Sequence, residues 1–213
     1  MLKIDETTVI RKKNSLETMA DNSIRNITAT LLKETCTDVK IEPQLQPLTG
    51  ENFNERTANI TNEARLDICA RGFWTAGQMA FFDVRVFNPN ARRYAKLEIA
   101  KTYEVNEKEK KKSYAERILQ VEHGSFTPLV MSATGGMGRE SRKFYARLAE
   151  SLSQKRNQIY SLTASWLRRK ICFALMKSVC ICIRGSRSVF SSSRLEDSLD
   201  ADVVVSEITS RVP

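Results

Sequence analysis

Hydrophobic positions set the first boundary in the chain. Ile24, Ile27, Leu31 and Leu32 recur at helical spacing behind Asp21 or Asn22, either of which can cap a helix, so the pattern predicts a helix over residues 21–34. Residues 1–20 carry no clear period and read as a disordered lead-in that holds the basic triplet Arg11, Lys12, Lys13. Residues 38–45 alternate apolar and polar up to Pro47, which predicts a strand, and Pro43 within it points to a sheet edge. A polar loop over 49–62 contains the triplet Asn59-Ile60-Thr61, a glycosylation acceptor only in a secreted protein. Strands over 64–69 and 78–87 then form a hairpin around the long turn Ala70–Gly77. That turn carries Phe73 and Trp74, which are expected to fold back onto the core in preference to stacking on bases.

The second half alternates helix, strand and helix. After a basic irregular stretch over 90–103, residues 104–121 are rich in helix formers, with Tyr114, Ile118 and Val121 as a late apolar stripe. Lys110 and Tyr114 are four apart and share one face of that helix, while most of the run Lys110–Lys112 is a solvated face. Residues 126–133 read as a buried strand. The following Thr134-Gly135-Gly136-Met137-Gly138 lacks the ending and spacing of a nucleotide-binding fingerprint, so it is a tight strand-to-helix turn. Phe144, Leu148 and Leu152 march at fours along a helix over 139–157. A further helix over 162–183 becomes apolar nearly all round, so its far end is expected to be buried against the domain or against a second copy. Residues 188–213 form a serine-rich acidic tail, leaving 21–187 as the one folded domain.

Charge changes this picture in one region. The 213-residue chain carries a net charge of +9, and residues 139–187 hold twelve Lys or Arg against two acids, whereas the tail from Ser188 holds two Arg against five acids. A basic carboxyl-terminal third suits nucleic acid or another anionic surface, although solvated basic helix faces are the commoner cause of such runs. The five cysteines, Cys36, Cys69, Cys172, Cys180 and Cys182, show no disulfide-scaffold spacing, and with a single histidine, His123, no four-ligand zinc site is visible. His123 alone gives no support to a histidine-based triad. The opening segment lacks an apolar signal core, and the stretch 171–183 is broken by Lys177 and too short to span a bilayer. The expectation is an intracellular protein, nuclear or cytoplasmic, with no membrane partner.

The candidate chemistry lies in the hairpin. Because strand side chains alternate, Met79, Phe81, Asp83, Arg85 and Phe87 share one face. An acid and a cation two residues apart on an otherwise apolar face are costly to bury unpaired. Salt bridges at a sheet edge would satisfy them, and so would a metal ion that Asp83 shares with Asp67 on the neighbouring strand.

The order helix, three strands, helix, strand, followed by two more helices, resembles the α/β core of the restriction-endonuclease-like, PD-(D/E)XK-type fold. The strings RLDI, GQMAFFDVRVFNP, the lysine-rich helix ending in Tyr114, and FTPLVMSATGGMGRE resemble the endonuclease segment found beside reverse transcriptases in animal non-long-terminal-repeat retrotransposons and their genomic remnants. The likeness covers roughly residues 22–188.

That resemblance implies a metal-dependent DNA endonuclease in which Asp67 and Asp83 hold Mg²⁺ or Mn²⁺, with Glu34 on the first helix completing the acidic set. Where the family has acid-x-Lys, this chain has Asp83-Val84-Arg85, and a guanidinium is a poor proton acceptor. Lys110 is the candidate to replace that lysine from the next helix. Arg139, Arg142 and Lys143, with Arg168, Arg169 and Lys170, would follow the DNA backbone. The family's upstream zinc knuckle and reverse transcriptase have no counterpart in this sequence, which implies a fragment or a detached descendant. Two other functions compete: a catalytically inactive nucleic-acid-binding module on the same fold, and a structural protein that forms a homodimer through residues 162–183.

Overall fold

The computed structural model describes residues 6–45 and 66–184, with side chains over 18–45 and 66–181. In chain order the elements are α1 (Glu6–Thr35), β1 (Thr37–Ile41), β2 (Ile68–Arg71), β3 (Met79–Phe87), a short 3-10 turn (Arg92–Tyr94), α2 (Ile99–Gln120), β4 (Ser125–Ser132), α3 (Arg139–Arg156) and α4 (Tyr160–Arg184). The chain is therefore α/β, and its elements follow one another in the order expected.

One mixed sheet runs β1-β2-β3-β4, with β1, β2 and β3 antiparallel and β4 parallel to β3. A parallel neighbour cannot be joined by a tight turn, so the chain crosses over through α2. The alternation in β3 divides two unequal faces. Ala80, Phe82, Val84 and Val86 join Ile24, Leu31 and Leu32 of α1, Phe144, Leu148 and Leu152 of α3 and Leu167 and Ile171 of α4 in the main core. On the opposite face Phe81 packs with Cys69, Tyr114 and Ile118, and Phe87 packs with Tyr94 and Val130. Asp83 and Arg85 lie between these two small apolar groups, under α2.

Phe73 folds back as expected. It is buried and contacts Trp74, Phe82 and Phe144 at centroid separations of 4.7, 5.4 and 4.6 Å, while Trp74 Nε1 donates to Thr127 Oγ1 at 3.0 Å. Gly135, at φ +92°, makes the strand-to-helix turn that the glycine cluster predicts.

Several boundaries differ from expectation, each for a local reason. The first helix starts at Glu6, not near Asp21, so the supposed lead-in over 1–20 is helical from residue 6 onward. Residues 6–20 contain no Gly or Pro to stop a helix, and their missing apolar stripe hid it. β1 stops at Ile41 instead of residue 45, because Glu42 turns to φ +52° and Pro43 follows. It does occupy a sheet edge.

β2 begins at Ile68, so Asp67 precedes the strand, and the turn closes with the Gly72 amide donating to the Gln78 carbonyl at 2.9 Å. α2 starts at Ile99, within the stretch read as irregular, because the face it lays on the sheet is polar at first: Thr102 and Asn106 are buried ahead of Tyr114 and Ile118. α4 is not buried all round, since Phe173, Met176 and Ile181 are exposed. The 49–62 loop with its Asn59 triplet, the first residues of the strand expected over 64–69 and the 188–213 tail lie outside the described residues. Among the described residues, no helix is long and apolar enough to cross a membrane.

Candidate functional site

The sheet forks beside Asp83. β2 pairs with β3 only as far as Ile68 opposite Phe82, whereas β4 follows β3 to Phe87 opposite Ser132. The amides of Val84 and Val86 face the side where β2 has not yet begun, and buried amides need acceptors. Two carboxylates supply them. Asp67 Oδ2 accepts from Val84 N–H at 2.7 Å, and Asp21 Oδ1, arriving from α1, accepts from Val86 N–H at 2.5 Å.

Asp83 completes the group from β3. It is 4 % exposed, and Lys110 Nζ on α2 lies 2.6 Å from its Oδ2. This close ion pair pulls the Asp83 carboxyl down against the effect of its burial. Asp67 directly precedes Ile68, which pairs with Phe82, and the charge of Asp83 reaches it.

The electrostatics follow from burial of more negative than positive charge. Burial pushes the Asp21 carboxyl up to about 8; the Val86 amide opposes this, while the charges of Asp67 and Asp83 add to it. The Asp67 carboxyl is pushed up to about 6, first by burial and then by the charge of Asp83. Burial also holds Asp83 above the ordinary carboxylate range, although Lys110 pulls the other way.

The other residues singled out from the sequence fall in three places. Arg85 shares the Asp83 face, but its Nη1 bonds Glu109 Oε2 at 3.0 Å. Glu34 does not join the acidic group. It sits near the far end of α1 and takes Arg156 in a two-pronged bond at 2.8 and 3.0 Å, because the long helix carries it several turns beyond Asp21. Arg139, Arg142, Lys143, Arg168 and Arg169 are exposed, and Lys170 is half-buried with Nζ 5.0 Å from the Trp166 ring centre. At the start of α3, Glu140 already binds Lys111 at 2.9 Å, which draws α2 and the Arg139–Lys143 end together.

Asp21 is the residue that sequence reasoning missed, because it was read as a cap. One signal was available. Ala20, Ile24 and Leu31 form the buried stripe of α1, and an acid adjoining such a stripe in an unbroken helix must meet a partner in the fold. Arg25, one turn further on, moderates Asp67 electrostatically and is itself held by Glu42 at 2.5 Å.

The donor set consists of carboxylate oxygens, which suits a hard divalent cation. Asp21 and Asp67 each give one oxygen to an amide and keep the other without a hydrogen bond among the described residues. No three His, Cys, Asp or Glu side chains among the described residues form a ready-made metal cage. Mg²⁺ is commonly held by one or two carboxylates plus water and phosphate oxygens, so Asp67 with Asp83 fits that mode. No protein-family model matches the chain, and no curated protein is significantly similar to it.

Proposed function

We propose that this chain is a metal-dependent phosphodiesterase domain acting on DNA, with a restriction-endonuclease-like core of mobile-element origin, in which Asp67 and Asp83 hold Mg²⁺ or Mn²⁺. One observation carries the reading. Carboxylates from α1, from the entry to β2 and from β3 gather where the sheet opens, with Lys110 paired into the group and negative charge left over. A divalent ion bound there lowers the pKa of its water and neutralises charge on a scissile phosphate.

The chain's own residues do the rest. Asp21 and Asp67 fix the free edge of β3, which holds Asp83 in register. Lys110 supplies from α2 the ammonium that Asp83-Val84-Arg85 lacks. Arg85, on giving up Glu109, offers a guanidinium to phosphate but does not take protons. The exposed Arg139, Arg142, Lys143, Arg168 and Arg169, with Lys170, meet the DNA backbone through charge. Phe173, Met176 and Ile181 on α4 are the seam where a second copy would dock.

Supercoiled plasmid with Mg²⁺ or Mn²⁺ tests the reading. Nicking is expected from the wild type and not from Asp83→Ala, and nicking that persists in Asp83→Ala sinks the assignment. A second reading, a nucleic-acid-binding module without activity, is favoured by α2 answering both charges of β3, Lys110 to Asp83 and Glu109 to Arg85. DNA retention that weakens steeply with salt, with no cutting, selects it.

A further inference from the structure

Lys110 occupies a place on Asp83 that a metal ion would also need. Its Nζ is 2.6 Å from Oδ2, a buried carboxylate oxygen. The contact is a close ion pair, so a second cation at Oδ2 would meet a positive charge already in place. The ammonium also has somewhere to go. Lys110 is 23 % exposed, and its Nζ already lies 5.7 Å from the ring centre of Tyr114, one turn along α2. Asp67, by contrast, is fixed to the Val84 amide and keeps one oxygen unbonded among the described residues.

We propose that Lys110 is a built-in cation of this site that competes with a divalent ion for Asp83, so that the ion gains Asp83 only as the ammonium withdraws toward Tyr114. The proposal rests on Asp67 and Asp83 being cation ligands. Its physical basis is that two like charges cannot share one buried carboxylate without repulsion that offsets what either gains. The wild type therefore binds divalent ions weakly, and replacing Lys110 with a neutral side chain strengthens binding even if it abolishes any cutting.

The test is Mn²⁺ affinity, read as the spin-resonance signal of free Mn²⁺, for wild type, Lys110→Met, Lys110→Arg and Asp67→Asn. Lys110→Met is expected to bind on the order of tenfold tighter than wild type. Lys110→Arg should stay near wild type, and Asp67→Asn should lose saturable binding. If Lys110→Met binds no tighter while Asp67→Asn loses binding, the competition is refuted and the cation site stands. If no variant and no wild type binds saturably, the site itself is refuted and the competition with it. A measurement on wild type covers the case in which Lys110→Met does not fold. The acylation rate of Lys110, read by peptide mass spectrometry against exposed Lys108, should rise on saturation with Mn²⁺, and an unchanged rate overturns the proposal.

Discussion

Asp21 and Val86 lie 65 positions apart in the chain, yet the carboxylate of one accepts the amide of the other at 2.5 Å. With Asp67 on Val84, it takes the place of the strand hydrogen bonds that β2, which begins only at Ile68, does not make to the far half of β3. The acids are thus structural before they are anything else. Their burial sets their raised pKa values.

Removing that acceptor should cost more than removing its charge. Asp21→Ala leaves the buried Val86 amide without its partner and is expected to destabilise by about 1–3 kcal/mol. Asp21→Asn keeps an acceptor oxygen and discards the ionisation, so it should unfold in urea close to wild type near neutral pH. Equal losses in the two variants would show that the hydrogen bond is not what Asp21 contributes.

Stability should fall as pH rises. In the folded chain Asp21 holds its proton to about 8 and Asp67 to about 6, against an ordinary 3.8 for both. The native state therefore binds more protons than the unfolded state between those limits, and the stabilisation, complete below about pH 4, is lost as pH passes through the folded values. Urea midpoints measured from roughly pH 5 to roughly pH 8.5 should decline. Asp21→Asn should flatten the upper part of that decline, and a wild-type curve that rises over this range would contradict the assignment.

The sequence was most readable where a face is apolar. Phe144, Leu148 and Leu152 mark α3 without ambiguity, and all three are fully buried. The hairpin was legible for the same reason, with Phe82 and Phe81 dividing the two faces of β3. The early turns of α1 and α2 were not, since one lacks an apolar stripe and the other lays Thr102 and Asn106 on the sheet. Lys110 could be singled out only because the family resemblance calls for a lysine where Arg85 stands, with its spacing to Tyr114 then marking a helix face. Asp21 could not, because its partner is decided by where β2 begins, which no local pattern reports.

The turn into α3 offers a contrast between two glycines. A Cβ at Gly138 would meet Glu107 Oε1, and one at Gly136 would meet the Tyr103 hydroxyl. Glu107 accepts the Glu140 amide at 3.0 Å in the first turn of α3, so Gly138→Ala displaces a helix-end acceptor at a cost of about 0.5–2 kcal/mol. Tyr103 is packed edge-on against Phe87 at 5.1 Å and has less freedom to yield. Gly136→Ala should therefore be the costlier, at about 1–3 kcal/mol. Thermal unfolding of both variants ranks them, and the reverse order would mean that Tyr103 moves freely.

Glu34 provides the control for the whole site. Its carboxylate grips Arg156 with both oxygens at 2.8 and 3.0 Å, and the same guanidinium lies 4.6 Å from the Trp166 ring centre, so the pair ties α1 to α3 and α4. The partners are 28 % and 37 % exposed, which keeps the ion pair modest. Glu34→Gln is expected to cost about 0.5–1 kcal/mol in urea unfolding, and to leave Mn²⁺ affinity and plasmid nicking as they are in wild type. Asp21→Asn, with its group beside Asp67 and Asp83, should change Mn²⁺ affinity while hardly moving the urea midpoint near neutral pH. If the two variants exchanged these outcomes, the acid that serves the cation would be Glu34, and the fork in the sheet would be a structural joint only.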